Sequence, residues 1–173
     1  NGYEPRIIPC DFTGDGNEEI LITASTGGSG GIVNGLVCEI GANAGVIPIF
    51  DTGMGVLTPV TGRFLDGYRA SIAVLDTSVI IDLSSRRDYY ERTGTFSEGK
   101  PTGDMEPWGD PYGLISPVDS DGDSVCDLEC LQSVSGAAHV DRIAIVRTIL
   151  TWNEEGWRVA DIEILPRGDA GME

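Results

Sequence analysis

Asp11-Phe12-Thr13-Gly14-Asp15-Gly16-Asn17-Glu18-Glu19 runs directly into the apolar stretch Ile20-Leu21-Ile22-Thr23-Ala24. With Asp11 as position 1, Asp11, Thr13, Asp15 and Glu19 place oxygen-bearing side chains at positions 1, 3, 5 and 9, and Asn17 stands at position 7. Gly16, at position 6, supplies the sharp turn. Alternating oxygens on a tight loop wrap one hard cation, and calcium is the usual one. A second acidic stretch, Asp119-Ser120-Asp121-Gly122-Asp123-Ser124-Val125-Cys126-Asp127, repeats the pattern, with Asp119, Asp121, Asp123, Val125 and Asp127 at the same odd positions.

These loops are not EF-hands. That site closes its shell with a bidentate Glu at position 12, where this chain has Ile22 and Cys130. The acid at position 9, Glu19 or Asp127, has to take over that role. The first loop also feeds a run of strand formers with no helical stripe. Asp-x-Thr-Gly-Asp-Gly-x-x-Glu entering a strand resembles the FG-GAP and VCBS-type repeats of extracellular proteins, and the chain resembles small secreted bacterial proteins that carry VCBS repeats. Asp11–Gly31, Ser116–Gly136 and Thr148–Ile164 carry the resemblance. It implies β-rich repeats with calcium in loops between strands and no catalytic machinery, and it does not supply a role. The Asp-Ser-Asp-Gly-Asp of the second loop also resembles the calcium repeats of thrombospondin-like stalks. One calcium ion is expected in the first loop. In the second, Ser124 occupies position 6, where a non-glycine residue resists a positive φ, although three aspartates give that loop more charge. A solvated acidic turn is the alternative there.

Composition fits this setting. The 173 residues are expected to form a single domain, 1–173, and 40% apolar content is enough for a sizeable core. The formal net charge is −17, from 28 acids and 11 bases, which argues against nucleic acid or an anionic membrane as partner. A protein or glycan at the cell surface is the expected partner. No apolar run approaches a membrane span in length, and no signal-peptide pattern opens the chain. The chain begins at Asn1 rather than Met, so an export signal is expected upstream. Four cysteines, Cys10, Cys38, Cys126 and Cys130, allow three pairings. Cys126 and Cys130, four apart on a strand-like stretch, would lie roughly 13 Å apart if extended and cannot bridge. A bridge from Cys10 to Cys126 would brace a metal loop, and buried free thiols are the alternative.

Along the chain, strands are expected over Ile32–Ile40, Val46–Phe50, Val56–Leu65, Tyr68–Leu75, Ser78–Leu83, Gly113–Ile115, Leu128–Val134, Arg142–Trp152 and Trp157–Leu165. Asp66-Gly67 and Asn153-Glu154-Glu155-Gly156 mark hairpins. Ser85-Arg86-Arg87-Asp88 resembles a capping box and Gly94 a C-terminal cap, so one short helix is expected near 86–93. The stretch 94–111 reads as a long mobile surface loop joining two pseudo-repeat halves, 1–93 and 112–173. A propeller needs at least four blades. The expected fold is therefore mainly β, with antiparallel sheets built from two blade-like halves.

Other signals are weaker. Gly27-Gly28-Ser29-Gly30-Gly31 lacks the Lys and helix of a phosphate loop and reads as a permissive turn. His139 has no nucleophile motif near it in sequence. Tyr89, Tyr90, Trp108 and Tyr112 are candidates for a sugar-stacking platform, with Asp104 and Glu106 as nearby acids, but aromatics at turns usually cover a core. The function expected is a secreted or cell-surface, calcium-binding, non-catalytic β module. The alternative is a carbohydrate-binding or carbohydrate-active protein with an aromatic and acidic cleft.

Overall fold

A computed structural model of the chain describes residues 2–28, 30–41, 45–55 and 58–167. The first apolar run behaves as its pattern requires. β2 (Glu19–Ser25) alternates buried and half-buried residues and lies at the centre of a four-stranded antiparallel meander. Its neighbours are β1 (Tyr3–Cys10) and β3 (Val33–Ile40), and β4 (Val46–Asp51) pairs with β3 at the far edge. Gly27 and Gly31 take positive φ in the turn from β2 to β3, which is closed by Thr26 N–H to the Ile32 carbonyl at 2.9 Å. Ser29 and the expected strand start Val56-Leu57 lie outside the described residues.

β1 went unread in the sequence because Pro5 and Pro9 interrupt it. As a sheet edge it tolerates both, since proline's missing donor weakens only a central strand. The register sorts side chains by face. Leu21, Val37 and Phe50 lie on the inner face and join Phe12, Tyr112, Ile115, Leu128, Cys130 and Leu150 in one buried cluster. Trp157 packs edge-on to Phe12 and Phe50, each at 5.9 Å, and its indole N–H donates to the Ile49 carbonyl at 3.0 Å.

The remaining long strands form a seven-stranded sheet in the order β13-β12-β11-β10-β5-β6-β7. Its members are β5 (Thr61–Leu65), β6 (Arg69–Val74), β7 (Thr77–Asp82), β10 (Trp108–Val118), β11 (Asp127–Ser135), β12 (Arg142–Asn153) and β13 (Gly156–Pro166). A two-stranded hairpin, β8 (Phe96–Ser97) with β9 (Lys100–Pro101), comes between β7 and β10 in sequence. The fold is mainly β with antiparallel sheets, as expected. The blade-like halves do not follow as separate sheets, because the consecutive strands β10 to β13 are part of a larger sheet that continues through β5, β6 and β7. Instead β10 pairs with β5, Trp108 opposite Thr61, so the strands around the second loop extend a sheet begun earlier in the chain. The chain clusters into two compact units that interleave along the sequence: Asn1–Leu57, Pro111–Gln132 and Arg147–Ile162 in one, and Thr58–Asp110, Ser133–Val146 and Glu163–Glu173 in the other. The boundaries at 93 and 112 do not separate them.

Residues 94–111 are not a structureless loop. Phe96 is fully buried and packs edge-on to Phe64 and Tyr90, at 5.3 and 5.7 Å. Glu106 accepts from the Phe64 N–H at 2.8 Å. The helix expected near 86–93 is α1 (Arg87–Arg92), preceded by a short 3₁₀ turn over Ser84–Arg86. Its N-cap position is Arg86, which makes no side-chain cap, so the capping box is not formed. Gly94, at φ +76°, does end it, with its N–H on the Glu91 carbonyl at 3.1 Å.

In the second unit a buried carboxylate ties the helix to the turn after β11. Asp141 accepts from the Tyr90 hydroxyl at 2.7 Å, the Ala137 N–H at 2.9 Å and the Arg86 guanidinium at 3.0 Å. A Cβ on Gly136 would collide with this carboxylate and with the Tyr90 hydroxyl. Burial first, and then the bond to Asp141, push the Tyr90 phenol above its ordinary pKa, so it remains a donor. Tyr90→Phe leaves a buried carboxylate one donor short and is expected to cost about 1–3 kcal/mol in urea unfolding. Arg87→Gln, exposed on the same helix, should stay within about 0.5 kcal/mol of the parent.

Candidate metal loops

The two aspartate loops share one hydrogen-bond skeleton. At position 1, Asp11 accepts from the N–H groups of Gly14 and Gly16 at 2.7 and 2.9 Å. Asp119 accepts from those of Gly122 and Ser124 at 2.7 and 3.2 Å. At position 5, Asp15 accepts from Asn17 N–H and Asp123 from Val125 N–H, both at 2.8 Å. At position 9 the acids turn inward. Glu19, buried, accepts from the N–H groups of Phe12 and Thr13 at 2.8 and 3.1 Å and from the Thr13 hydroxyl at 3.2 Å. Asp127, also buried, accepts from the main chain and hydroxyl of Ser120.

This common skeleton arises because each loop folds two left-handed residues, at positions 4 and 6. Gly14 and Gly16 stand at φ +73° and +85°, and Gly122 and Ser124 at +85° and +71°. Ser124 thus adopts the positive φ that its side chain was expected to resist. Two hydrogen bonds from the loop N–H groups to Asp119 hold it there.

The loops differ in what they bring together. Carboxylate oxygens of Asp119, Asp121 and Asp123 all lie within 4.8 Å of one another and are exposed. The first loop forms no such group of three acids among the described residues. Thr13 stands at position 3, and Glu19 is committed to backbone N–H groups. Hydrogen bonds from the main chain and side chain of Asn17 hold the Asp15 carboxyl below its ordinary pKa, so it keeps its charge further into acid than a free aspartate. Val125 contributes backbone at position 7, and the gap between its side chain and a Cβ built on Gly14 would be 3.4 Å.

A disulfide joins the loops. Cys10, just before position 1 of the first, is bonded to Cys126, at position 8 of the second. Beside it the Cys126 N–H donates to the Asp11 carbonyl at 2.7 Å. Cys38 and Cys130 are buried free thiols, so both readings of the cysteines hold, for different pairs. Burial pushes the Cys130 thiol up to about 12 and raises that of Cys38.

The other candidate residues are placed differently. Tyr90 and Tyr112 are buried, and the cavities lined by Thr23 and Ile115, by Asp15 and Glu39, and by Thr61 and Ser71 have no aromatic side chain in their walls. His139, distant in sequence from any acid that meets it, places Nδ1 at 2.8 Å from Asp110 Oδ1. The Trp108 indole N–H donates to the same oxygen at 3.1 Å, and the Ser135 hydroxyl donates to Oδ2 at 2.7 Å. Spacings of 25 and more residues hid this grouping. It is not a serine triad, because the hydroxyl donates to the carboxylate rather than to the imidazole.

Fold and loops together define an acidic, disulfide-linked, mainly antiparallel β protein with paired aspartate loops. The chain belongs to the YybI C-terminal domain family, whose model matches residues 58–165. It is 30% identical over 155 residues to the uncharacterized protein YybI of Bacillus subtilis (strain 168), a match covering 88% of this chain and 59% of the relative. No solved structure matches the chain. The matched family segment contains the second loop and the Asp110–His139 pair but not the first loop.

Gly16 and Ser124 allow the cost of the turn to be measured. A Cβ on Gly16 would meet nothing within 4 Å, so Gly16→Ala is expected to lose about 1–2 kcal/mol through backbone conformation alone. Ser124→Gly should be neutral or stabilising by up to about 1 kcal/mol. Equal destabilisation by both substitutions in chemical unfolding would contradict this account. Thiol counting checks the cysteines. Alkylation in denaturant should find two thiols without reductant and four after it, and the native protein at about pH 8 should react slowly, since thiolate is the nucleophile.

Proposed function

We propose that this protein is a calcium-stabilised, non-catalytic β module that works in an oxidising, extracellular or cell-surface setting. The convergence of the Asp119, Asp121 and Asp123 carboxylates carries the reading. Three like charges on one turn repel, and a divalent cation at their centre reverses that repulsion. The donors are all hard oxygens, which suits calcium; magnesium demands a tighter octahedral shell. The first loop, with the same skeleton, is the second proposed site, through Asp11, Thr13, Asp15, Asn17 and Glu19. In both loops the position-9 acid would act chiefly by fixing the turn, since its oxygens hold backbone donors. The Cys10–Cys126 bond supports the compartment, because such bonds persist where thiols are not kept reduced. Two bound ions would bring the formal charge from −17 to −13, that is −17 plus four.

Calcium that binds the folded loop and hardly the unfolded chain raises stability by mass action. At free calcium about tenfold above Kd the gain is about 1.4 kcal/mol for one site, a melting shift of roughly 3–5 °C for a chain of this size. Calorimetry should show that shift with calcium and a smaller one with equal magnesium. Asp121→Asn combined with Asp123→Asn should remove the second loop's share, Asp15→Ala the first loop's, and Asp104→Asn neither. No calcium heat by titration calorimetry and identical melting in calcium and chelator would refute the proposal.

A further inference from the structure

The four-stranded sheet has two apolar faces. Opposite its core side, the register aligns Ile7 with Ile22, Leu36 and Asp51, Pro9 with Ile20, Cys38 and Pro48, and Ile40 with Val46. Asp51, at the end of the edge strand β4, is the one charged residue in these rows. Ile7, Ile40 and Val46 are 69%, 58% and 60% exposed, Ile20, Ile22 and Leu36 are half-buried, and Cys38 is buried between them. An antiparallel sheet with one face in the core ordinarily shows polar side chains on the other, and contiguous apolar surface of this kind marks an interaction site.

The surroundings of this face say what it fits. Residues 1–57 contain seven acids (Glu4, Asp11, Asp15, Glu18, Glu19, Glu39 and Asp51) and one base, Arg6. Arg6 pairs with Thr23 on the opposite face. Ile40, at the end of the apolar face, also lines an open cavity of about 530 Å³ whose other walls are Asp15, Asn17, Glu18, Glu19 and Glu39. Apolar surface therefore runs into a pocket of carboxylates, with no cation among the described residues of these rows or of the cavity lining. A second copy of the chain would bring its own −17 charge to this face, which opposes self-association.

We propose that the outer face of β1–β4 docks a cationic amphipathic segment of a partner protein. Its apolar side chains would lie on Ile7, Ile20, Ile22 and Leu36, and its Lys or Arg would enter the carboxylate cavity beside Ile40. Asp15, Asn17 and Glu19 of this cavity are also among the residues proposed to hold calcium in the first loop, so the docking is tested without calcium and through Glu18 and Glu39, which are not.

The probe is a fluorescent peptide of about ten residues alternating leucine and lysine, long enough to span the strands, titrated in excess chelator by anisotropy. Saturable binding is expected. Ile22→Thr and Ile7→Thr, which keep the β-branch, should each weaken it by about tenfold. Glu18→Gln with Glu39→Gln should weaken it and flatten its salt dependence. A serine–lysine peptide of equal charge should bind at least about tenfold more weakly. Equal binding of that peptide, or no effect of Ile22→Thr in a protein with unchanged circular dichroism, reduces the interaction to general acidity and overturns the proposal. Sedimentation showing a dimer that Ile22→Thr dissociates would overturn it in favour of a second copy.

Discussion

The contact between Cys10-Asp11 and Cys126 holds the first unit together. It couples a covalent bond to a hydrogen bond of 2.7 Å from the Cys126 N–H to the Asp11 carbonyl, across a sequence separation of 116 residues. In the chain-entropy account, closing a loop of that order removes about 4–5 kcal/mol of disorder from the unfolded chain. The bond lies where apolar packing is scarce. Both loops are mostly exposed turns, and only Phe12, Glu19 and Asp127 of their side chains are buried. Phe12 reaches the core cluster, while the two acids fasten the turns through backbone donors. Covalent closure, one aromatic anchor and two buried carboxylates thus do for these loops what a hydrophobic face does for a strand.

What was legible in the sequence is what depends on neighbours in sequence. Asp spacing and glycine position define a turn within nine residues, and both loops fold as one skeleton. Alternation placed β2, β3, β6, β7, β11, β12 and β13 to within a residue or two, and α1 with its Gly94 cap. The omissions all depend on distant partners. β1 forms because β2 offers it a ladder, in spite of two prolines. Phe96 and Trp108 fall in a stretch rich in Gly and Pro, and contacts that include Phe64 and Thr61, more than thirty residues away, make them part of a core and a sheet. Ser124 breaks a local rule because Asp119 accepts its N–H. The similarity between the loops suggested two like halves, yet the strands around the second loop join a larger sheet. The resemblance extends to the neighbouring strands that each loop joins, β1 with β2 and β10 with β11, and not to the sheets those pairs enter.

The second unit handles buried charge by a different device. Asp110 and Asp141 are both almost wholly removed from solvent, and every buried side-chain polar atom among the described residues has a partner. Each carboxylate gathers donors from separate stretches: Trp108, Ser135 and His139 around Asp110, and Arg86, Tyr90 and Ala137 around Asp141. A buried anion left short of donors is costly, so these arrangements fix where the segment 135–141 can lie. All of these residues fall within the stretch matched by the YybI C-terminal domain family.

The prolines of the four-stranded sheet matter beyond the reading of β1. Pro5 and Pro9 lie on one edge strand and Pro48 on the other. An exposed strand edge is a template on which further strands, from any chain, add to build fibres. Proline offers no N–H to an incoming strand, so both borders of this sheet are poor templates. The sheet that presents apolar side chains on its outer face is thereby guarded at both of its borders. Contact through the face stays available, while unlimited growth through the edges is suppressed.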